Sequence, residues 1–393
     1  MAKLTKVYDI GKSLTKNLVY LRLNEECGIL FRVWFFIFYR YYVKAMKIVI
    51  DEKIPYITDA LLAMGHDVVA LPGVAIANVH LRDADALFVR TRTHCNAALL
   101  DGSNVRFIGT ATIGYDHIDA AYCAQNNIAW TNAAGCNADA VLQYVQAVIY
   151  TWAAERSCSL QGLTLGVVGV GEIGGRVARW ASSAGLRLLL NDPLREGSGE
   201  PGFVSLATIA ADSDIITFHP TLNKDGAYPS YHLADEAFFA QMKRCCLLIN
   251  ASRGPVVDNA ALLQAMGRSA ALDVVLDVWE GEPDINIPLL NKVYIATPHI
   301  AGYSAEGKLN ATNIVLRRFA QYFGCEQALP LLTLPAPCPS RVVAPSFAAA
   351  CLKIYNPHAD SLALKTAPQN FEDLRNNYNL RREPSAFEIK IVP

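Results

Sequence analysis

From Met46 onward the chain alternates short apolar runs with longer stretches whose apolar residues recur at helical spacing. The runs Lys47–Ile50, Val68–Leu71, Ala86–Val89, Arg106–Gly109 and Ile128–Trp130 predict a first set of strands, with helices at Pro55–Met64 and His117–Gln125 between them. Asn137–Ala154 predicts a long helix with Asn137 as its N-cap. A second set of runs follows at Thr164–Val168, Arg187–Asn191, Ile215–Phe218, Cys246–Asn250, Val274–Asp277 and Val293–Ala296. Helical segments such as Ile173–Ala184, Asp235–Met242 and Asn259–Met266 separate these runs. Unbroken Val, Ile and Leu runs that alternate with helices predict parallel strands covered on both faces. The expected fold class is α/β, with two doubly wound parallel-sheet domains and a cleft between them.

Ser304–Phe323 predicts a further long helix that returns the chain to the first domain. The proline-rich stretch Pro330–Pro345 predicts a linker, and the remainder a small C-terminal α+β region. The expected division is an extension at 1–45, a first domain at 46–144 joined by 303–328, a second at 145–302, and a linker with the C-terminal region at 329–393. Residues 1–45 are expected to stand outside the fold, because Met46-Lys-Ile-Val-Ile-Asp51 reads as a natural first strand. In the extension, Arg32 and Arg40 interrupt the aromatic and aliphatic stretch from Ile29 to Val43. The uncharged run Val33–Tyr39 is far short of the roughly 20 residues that span a bilayer, so no membrane partner is expected.

Composition narrows the class of protein rather than the fold. A net charge of -1 over 393 residues gives no basis for a general nucleic-acid binder. Ten cysteines are scattered with no C-x-x-C pair, which predicts reduced thiols, a cytoplasmic location and no metal centre.

The sharpest chemical signal is Gly169-Val-Gly171-Glu172-Ile173-Gly174, placed between a buried strand and a helix. Gly169 allows the tight turn, Gly171 lets the backbone approach a pyrophosphate, and Gly174 permits close helix–strand packing. The helix start that carries Glu172 and Ile173 offers free N–H groups to the phosphates. Asp192 closes the next strand, where a carboxylate accepts the ribose hydroxyls and repels a 2′-phosphate. The expected cofactor is NAD, and the second domain is expected to be a Rossmann domain. Arg195 lies close enough to weaken that preference for NAD.

Three further residues sit in loops after apolar runs. Arg253, in Ile249-Asn-Ala-Ser-Arg253-Gly254, can grip a carboxylate through two parallel hydrogen bonds. His299, in Thr297-Pro-His299-Ile-Ala-Gly302, can act as acid or base. Glu282, in Val278-Trp-Glu-Gly-Glu282-Pro283, can hold an imidazole, but Glu280 competes for that role and spacing does not choose between them.

These motifs, in this order, resemble the D-isomer-specific 2-hydroxyacid dehydrogenase family from Met46 to about Gly324. The resemblance implies a flavodoxin-like substrate domain beside the Rossmann domain, with Arg253, Glu282 and His299 as catalytic triad. It also implies that Asp277 contacts the nicotinamide amide, and that Ala251, Ser252, Arg253 and Gly302 line the cofactor. Arg90, Thr91 and Arg92 follow a strand and offer charge and hydroxyl donors to a phosphate. Thr91, Thr112 and Tyr303 are substrate contacts by the same resemblance, and the expected substrate is a small phosphorylated hydroxy acid. The segment Phe371–Tyr378, followed by Arg381-Arg-Glu383, resembles an extra domain that generic members lack and that makes dimer contacts, so a homodimer is expected. The chain departs from the family where Gln143 replaces a common Glu, and where His219-Pro220-Thr221-Leu222 reverses the usual Thr-Pro order.

Overall fold

The computed structural model describes residues 45–242, 247–268 and 271–392; the expected extension, all but its last residue, and Cys246 at the start of an expected strand lie outside them. Strands β1 (Lys47–Asp51), β2 (Asp67–Leu71), β3 (Ala86–Val89), β4 (Phe107–Thr110) and β5 (Ala129–Asn132) form a five-stranded sheet in the order β2-β1-β3-β4-β5. Strands β6 (Thr164–Val168), β7 (Arg187–Asn191), β8 (Ile215–Phe218), β9 (Leu247–Asn250), β10 (Asp273–Leu276) and β11 (Ile295–Ala296) form a six-stranded sheet in the order β11-β10-β9-β8-β6-β7. Every pairing in both sheets is parallel. The central strands β3, β6, β8 and β9 are buried at every position, as their unbroken aliphatic runs require.

Three helices position the site. α1 (Ala138–Glu155) is buried around most of its circumference, because α2 (Glu172–Ser183) packs on it from one side and the C-terminal region from another. α3 (Ala305–Phe323) sets Ala311, Val315 and Phe319 into the core of the first sheet beside Ile48, Ile50, Phe88 and Phe107.

The C-terminal region packs on the second sheet through α4 (Phe347–Ile354), α5 (Pro357–Thr366) and α6 (Phe371–Asn376). Leu364 and Phe371 enter the core that holds Val274, Leu276 and Leu290, and Tyr355 enters the core under α1. α5 covers the edge strand β11, where the Ser361 hydroxyl accepts the Ala296 N–H at 3.0 Å. An edge amide that would face water is thereby satisfied. The expected linker needs correction: within the proline-rich stretch, Arg341–Ala344 is a strand, β12, paired in parallel with β13 (Glu388–Ile391). The prolines lie outside the four paired residues, so none interrupts the ladder.

Candidate active site

Each large sheet reverses its winding once, between β1 and β3 in the first and between β6 and β8 in the second. Such switch points open crevices at the carboxyl ends of the strands. At the second crevice Gly169 has φ 81°, and a Cβ on it would lie 2.5 Å from the Pro220 nitrogen. A Cβ on Gly174 would collide with the Gly169 carbonyl, whereas one on Gly171 meets no atom within 4 Å. Gly171 is also the N-cap of α2 and caps it with no side-chain hydrogen bond. The loop is thus closed on two sides and open where a pyrophosphate would meet the first N–H groups of α2. Asp192 accepts the Val170 amide at 2.9 Å and the Arg195 amide at 3.2 Å, one on each oxygen. Each oxygen keeps lone pairs for ribose hydroxyls. Arg195 pairs with Glu200 and donates to the Val170 carbonyl at 2.8 Å, so its charge is already engaged. These residues fit NAD.

The loop after β11 carries His299, whose φ of 58° puts a bulky residue in the left-handed region. Buried Asp277 holds it there. The Thr297 hydroxyl donates to Asp277 Oδ1 at 2.7 Å, and the Ile300 and Ala301 amides donate to its two oxygens at 2.8 and 3.0 Å. The His299 amide donates to the Asp277 carbonyl at 2.7 Å. Thr297 spends its one hydroxyl proton on Asp277, so the Tyr144 hydroxyl, 2.7 Å away, must donate to Thr297. Burial raises the Asp277 carboxyl above its ordinary value, against the charge of His299 and these donors.

The structure separates the two candidate acids. Glu282 Oε1 lies 2.6 Å from His299 Nδ1, whereas Glu280 faces away, 2.6 Å from His232 Nε2 and accepting the Asn259 amide at 2.8 Å. Gly281, with φ 74°, makes the turn that sends the two carboxylates apart. Burial raises the Glu282 carboxyl, but the hydrogen bond and charge of His299, together with Arg375 and the Trp279 amide, outweigh it and hold the carboxyl below its ordinary value. An ionised Glu282 only accepts, so Nδ1 carries a proton and Nε2 is the ring nitrogen left to exchange one.

Arg253 sits in the loop after β9, with Nη1 donating to the Ser252 carbonyl at 2.8 Å and Nη2 close to Gly114 on the loop after β4. It has no carboxylate partner among the described residues. A Cβ on Gly254 would strike the Trp279 carbonyl, so the Arg253 loop is pressed onto the Glu282 loop. At the first sheet's switch point Arg90 Nε donates to buried Asp51 at 3.1 Å, and Thr91 is exposed beside it. Thr112 donates to the Gly114 carbonyl at 2.9 Å. Arg92 reaches Glu372, on α6, at 3.8 Å.

Two cations absent from the sequence-based list join Tyr303. Arg375, from α6, donates to the Tyr303 hydroxyl at 3.4 Å and stands 3.9 Å from Glu282 Oε1. The Lys308 ammonium lies 4.3 Å from the centre of the Tyr303 ring. Lys308 is held below the ordinary lysine range, chiefly by burial, with Arg90 and Arg375 adding repulsion against the favourable pull of Tyr303. Gln143, the departure on α1, accepts from Arg381 Nε at 3.0 Å and donates to the Arg382 carbonyl at 3.0 Å. A glutamate there cannot make the second bond.

A Gly-rich nucleotide loop at the switch point of the second sheet, with an imidazole–carboxylate pair and an arginine on other loops of the same sheet, fits an NAD-dependent dehydrogenase. The family model described as the D-isomer specific 2-hydroxyacid dehydrogenase, NAD binding domain, matches residues 137–301. The erythronate-4-phosphate dehydrogenase of Bacteroides thetaiotaomicron is 48% identical over 345 residues, covering 88% of this chain and 99% of the relative. That of Enterobacter sp. (strain 638) is 43% identical over 355 residues, covering 88% and 94%. Among solved structures, D-lactate dehydrogenase from Aquifex aeolicus, complexed with NAD and lactic acid, is 25% identical with a TM-score of 0.54, over 72% of this chain and 97% of that one. The NAD+-bound 3-phosphoglycerate dehydrogenase of Entamoeba histolytica shares the fold at 22% identity and a TM-score of 0.59, over 74% of this chain and 100% of that one. The chain belongs to the D-isomer-specific 2-hydroxyacid dehydrogenases and, within them, to the erythronate-4-phosphate dehydrogenase family.

Proposed function

We propose that the protein oxidises erythronate 4-phosphate at C2 with NAD, forming 2-oxo-3-hydroxy-4-phosphobutanoate for pyridoxal 5′-phosphate biosynthesis. The observation that supports the substrate reading is the pair of cations Arg375 and Lys308 on Tyr303, with Arg90 near enough to act on Lys308, next to the His299–Glu282 pair. Arg253 binds the C1 carboxylate in a bidentate pair. His299 Nε2 takes the C2 hydroxyl proton, and Glu282 steadies the imidazolium that results. NAD, when bound, accepts the hydride that leaves C2 as the carbonyl forms. Gly169, Gly171, Glu172, Ile173, Gly174 and Asp192 hold the cofactor's pyrophosphate and ribose, and Ala251, Ser252, Asp277 and Gly302 lie along its nicotinamide end. Thr91, Thr112 and Tyr303 contact the substrate from the side of the first sheet.

The same reading assigns residues 46–144 and 303–328 to substrate binding, residues 145–302 to NAD, and residues 329–393 to a homodimer contact in the cytoplasm. Exposed apolar side chains at Leu331, Val343, Phe347 and Ile391 support the dimer contact, and a sedimentation measurement checks it. The cysteines described are all unpaired, in keeping with a reducing compartment.

The test is NADH formation with erythronate 4-phosphate against 3-phosphoglycerate. Faster turnover on phosphoglycerate overturns the substrate reading. In the same assay His299→Ala loses most turnover while NAD binding is kept, and near wild-type turnover removes His299 from the chemistry.

A further inference from the structure

We propose that Arg381, near the end of the C-terminal region, is a positioning residue that clamps the backbone of the His299 loop from the side opposite Asp277. The proposal rests on His299 as the base assigned above. The amides of Ile300 and Ala301 donate to Asp277, and the carbonyls of the same two residues accept from Arg381. Arg381 Nη1 reaches the Ile300 carbonyl at 2.8 Å, and Nη2 reaches the Ala301 carbonyl. The peptide group between Ile300 and Ala301 is therefore held at both ends, and the groups on either side of it at one end each, directly after a residue in the left-handed region.

Arg381 is itself held in place. Nε donates to Gln143 Oε1 at 3.0 Å, Nη2 also donates to the Ala140 carbonyl at 3.0 Å, and the guanidinium lies 4.5 Å from the centre of the Tyr355 ring. The backbone around it follows the loop, with Ser304 bridged to Arg381 and the Ala305 amide donating to the Arg381 carbonyl at 3.0 Å. The residue is 8% exposed, and no carboxylate pairs with it among the described residues. A buried guanidinium that spends its donors on neutral carbonyls is costly to place. Simple packing of the C-terminal region against α1 is served equally well by an apolar side chain. The charge is explained by the carbonyls it orders.

The test compares Arg381→Met, Arg381→Lys and Gln143→Leu in the full chain by hydrogen–deuterium exchange and kinetics. In Arg381→Met the segment 299–303 exchanges about tenfold faster while β6 and α2 keep their protection. Its kcat falls about tenfold to a hundredfold, with the Kd for NAD within about twofold of wild type. Arg381→Lys recovers part of both effects. Should Arg381→Met fail to fold, Gln143→Leu, which removes one acceptor and leaves the guanidinium, shows the same pairing of faster local exchange and lower kcat at smaller size. Wild-type exchange at 299–303 in the folded variants, or a loss of kcat without it, overturns the clamp. Exchange needs no substrate, so failure of the wild type to oxidise erythronate 4-phosphate counts against the substrate reading alone.

Discussion

Replacing Gly171 with alanine separates the role of the glycine loop in folding from its role in binding. The backbone there has φ −79°, outside the left-handed region that favours glycine, and the added Cβ meets no protein atom within 4 Å. Alanine is a poorer N-cap than glycine by about 0.5–1 kcal/mol. It also restricts the unfolded chain, which returns about 0.4–1 kcal/mol. The two nearly cancel, so the melting temperature without cofactor stays within about 2 °C of wild type. Binding responds differently. The methyl group occupies the approach of the pyrophosphate to the first amides of α2 and removes one or two charge-assisted hydrogen bonds, each about 1.5–3 kcal/mol. The Kd for NAD, read by titration calorimetry, therefore rises about tenfold to a hundredfold or more. Gly174→Ala is the contrasting variant, because its Cβ would strike the backbone carbonyl of Gly169 and neither chain segment can yield. It loses stability even without NAD. An NAD affinity within twofold of wild type in Gly171→Ala, or a collapse of its apo stability, would refute the assignment of the loop.

Two further changes probe the C-terminal region. Burial, with Glu306 adding to it, pushes the Glu383 carboxyl up to about 6, although Ser304 donates to it at 2.6 Å. Since the folded value lies above the unfolded one, near 4.3, the stability linked to its proton is full below about pH 4.3 and is lost as pH rises through about 6. Glu383→Gln removes that loss, at most about 2 kcal/mol, so its melting temperature gains on wild type between pH 4.5 and 7.5; a constant difference across that window refutes the linkage. Arg375→Met removes a cation beside Tyr303 and Glu282, and the KM for erythronate 4-phosphate rises about tenfold or more with the Kd for NAD unchanged. An unchanged KM would take Arg375 out of substrate binding.

The parts of the fold that were legible in the sequence are those whose surroundings are uniform. A strand buried on both faces shows as an unbroken aliphatic run, and the glycine loop shows because each glycine answers a separate steric demand. Helices at Asn78–Leu81, Ala97–Leu100 and Leu206–Asp212 were missed because two turns or fewer carry too little periodicity to register. β12 was hidden by the prolines around it, and its partner lies far along the chain at Glu388–Ile391. The choice between Glu280 and Glu282 depends on a turn at Gly281 and on His232, neither of which spacing reveals. Arg375 and Arg381 both sit in the segment singled out as unusual for the family, yet no pattern of neighbours distinguishes a buried arginine from a solvated one. A run of closely spaced arginines in a short amphipathic tail is the one available signal, and it is weak.

The placement of charge explains how a shared fold narrows to one substrate. Asp51 answers Arg90, and Glu282 answers His299 and stands 3.9 Å from Arg375, while Arg253 and Lys308 have no carboxylate partner among the described residues. Repulsion between cations is visible in Lys308, whose charge is disfavoured by burial and by Arg90 and Arg375. A hydroxy acid with only a carboxylate satisfies Arg253 and leaves that repulsion in place. On the proposed reading a substrate that also carries a phosphate relieves it, because the dianion would sit beside Lys308 and Arg375. Discrimination then comes as much from the cost of leaving buried cations unpaired with the wrong substrate as from attraction to the right one. Arg375 reaches the cleft from α6, in the C-terminal region that packs on the second sheet. On the proposed substrate reading that region takes part in the specificity of the site, and Arg375→Met is expected to weaken selection for the phosphate with binding of NAD kept.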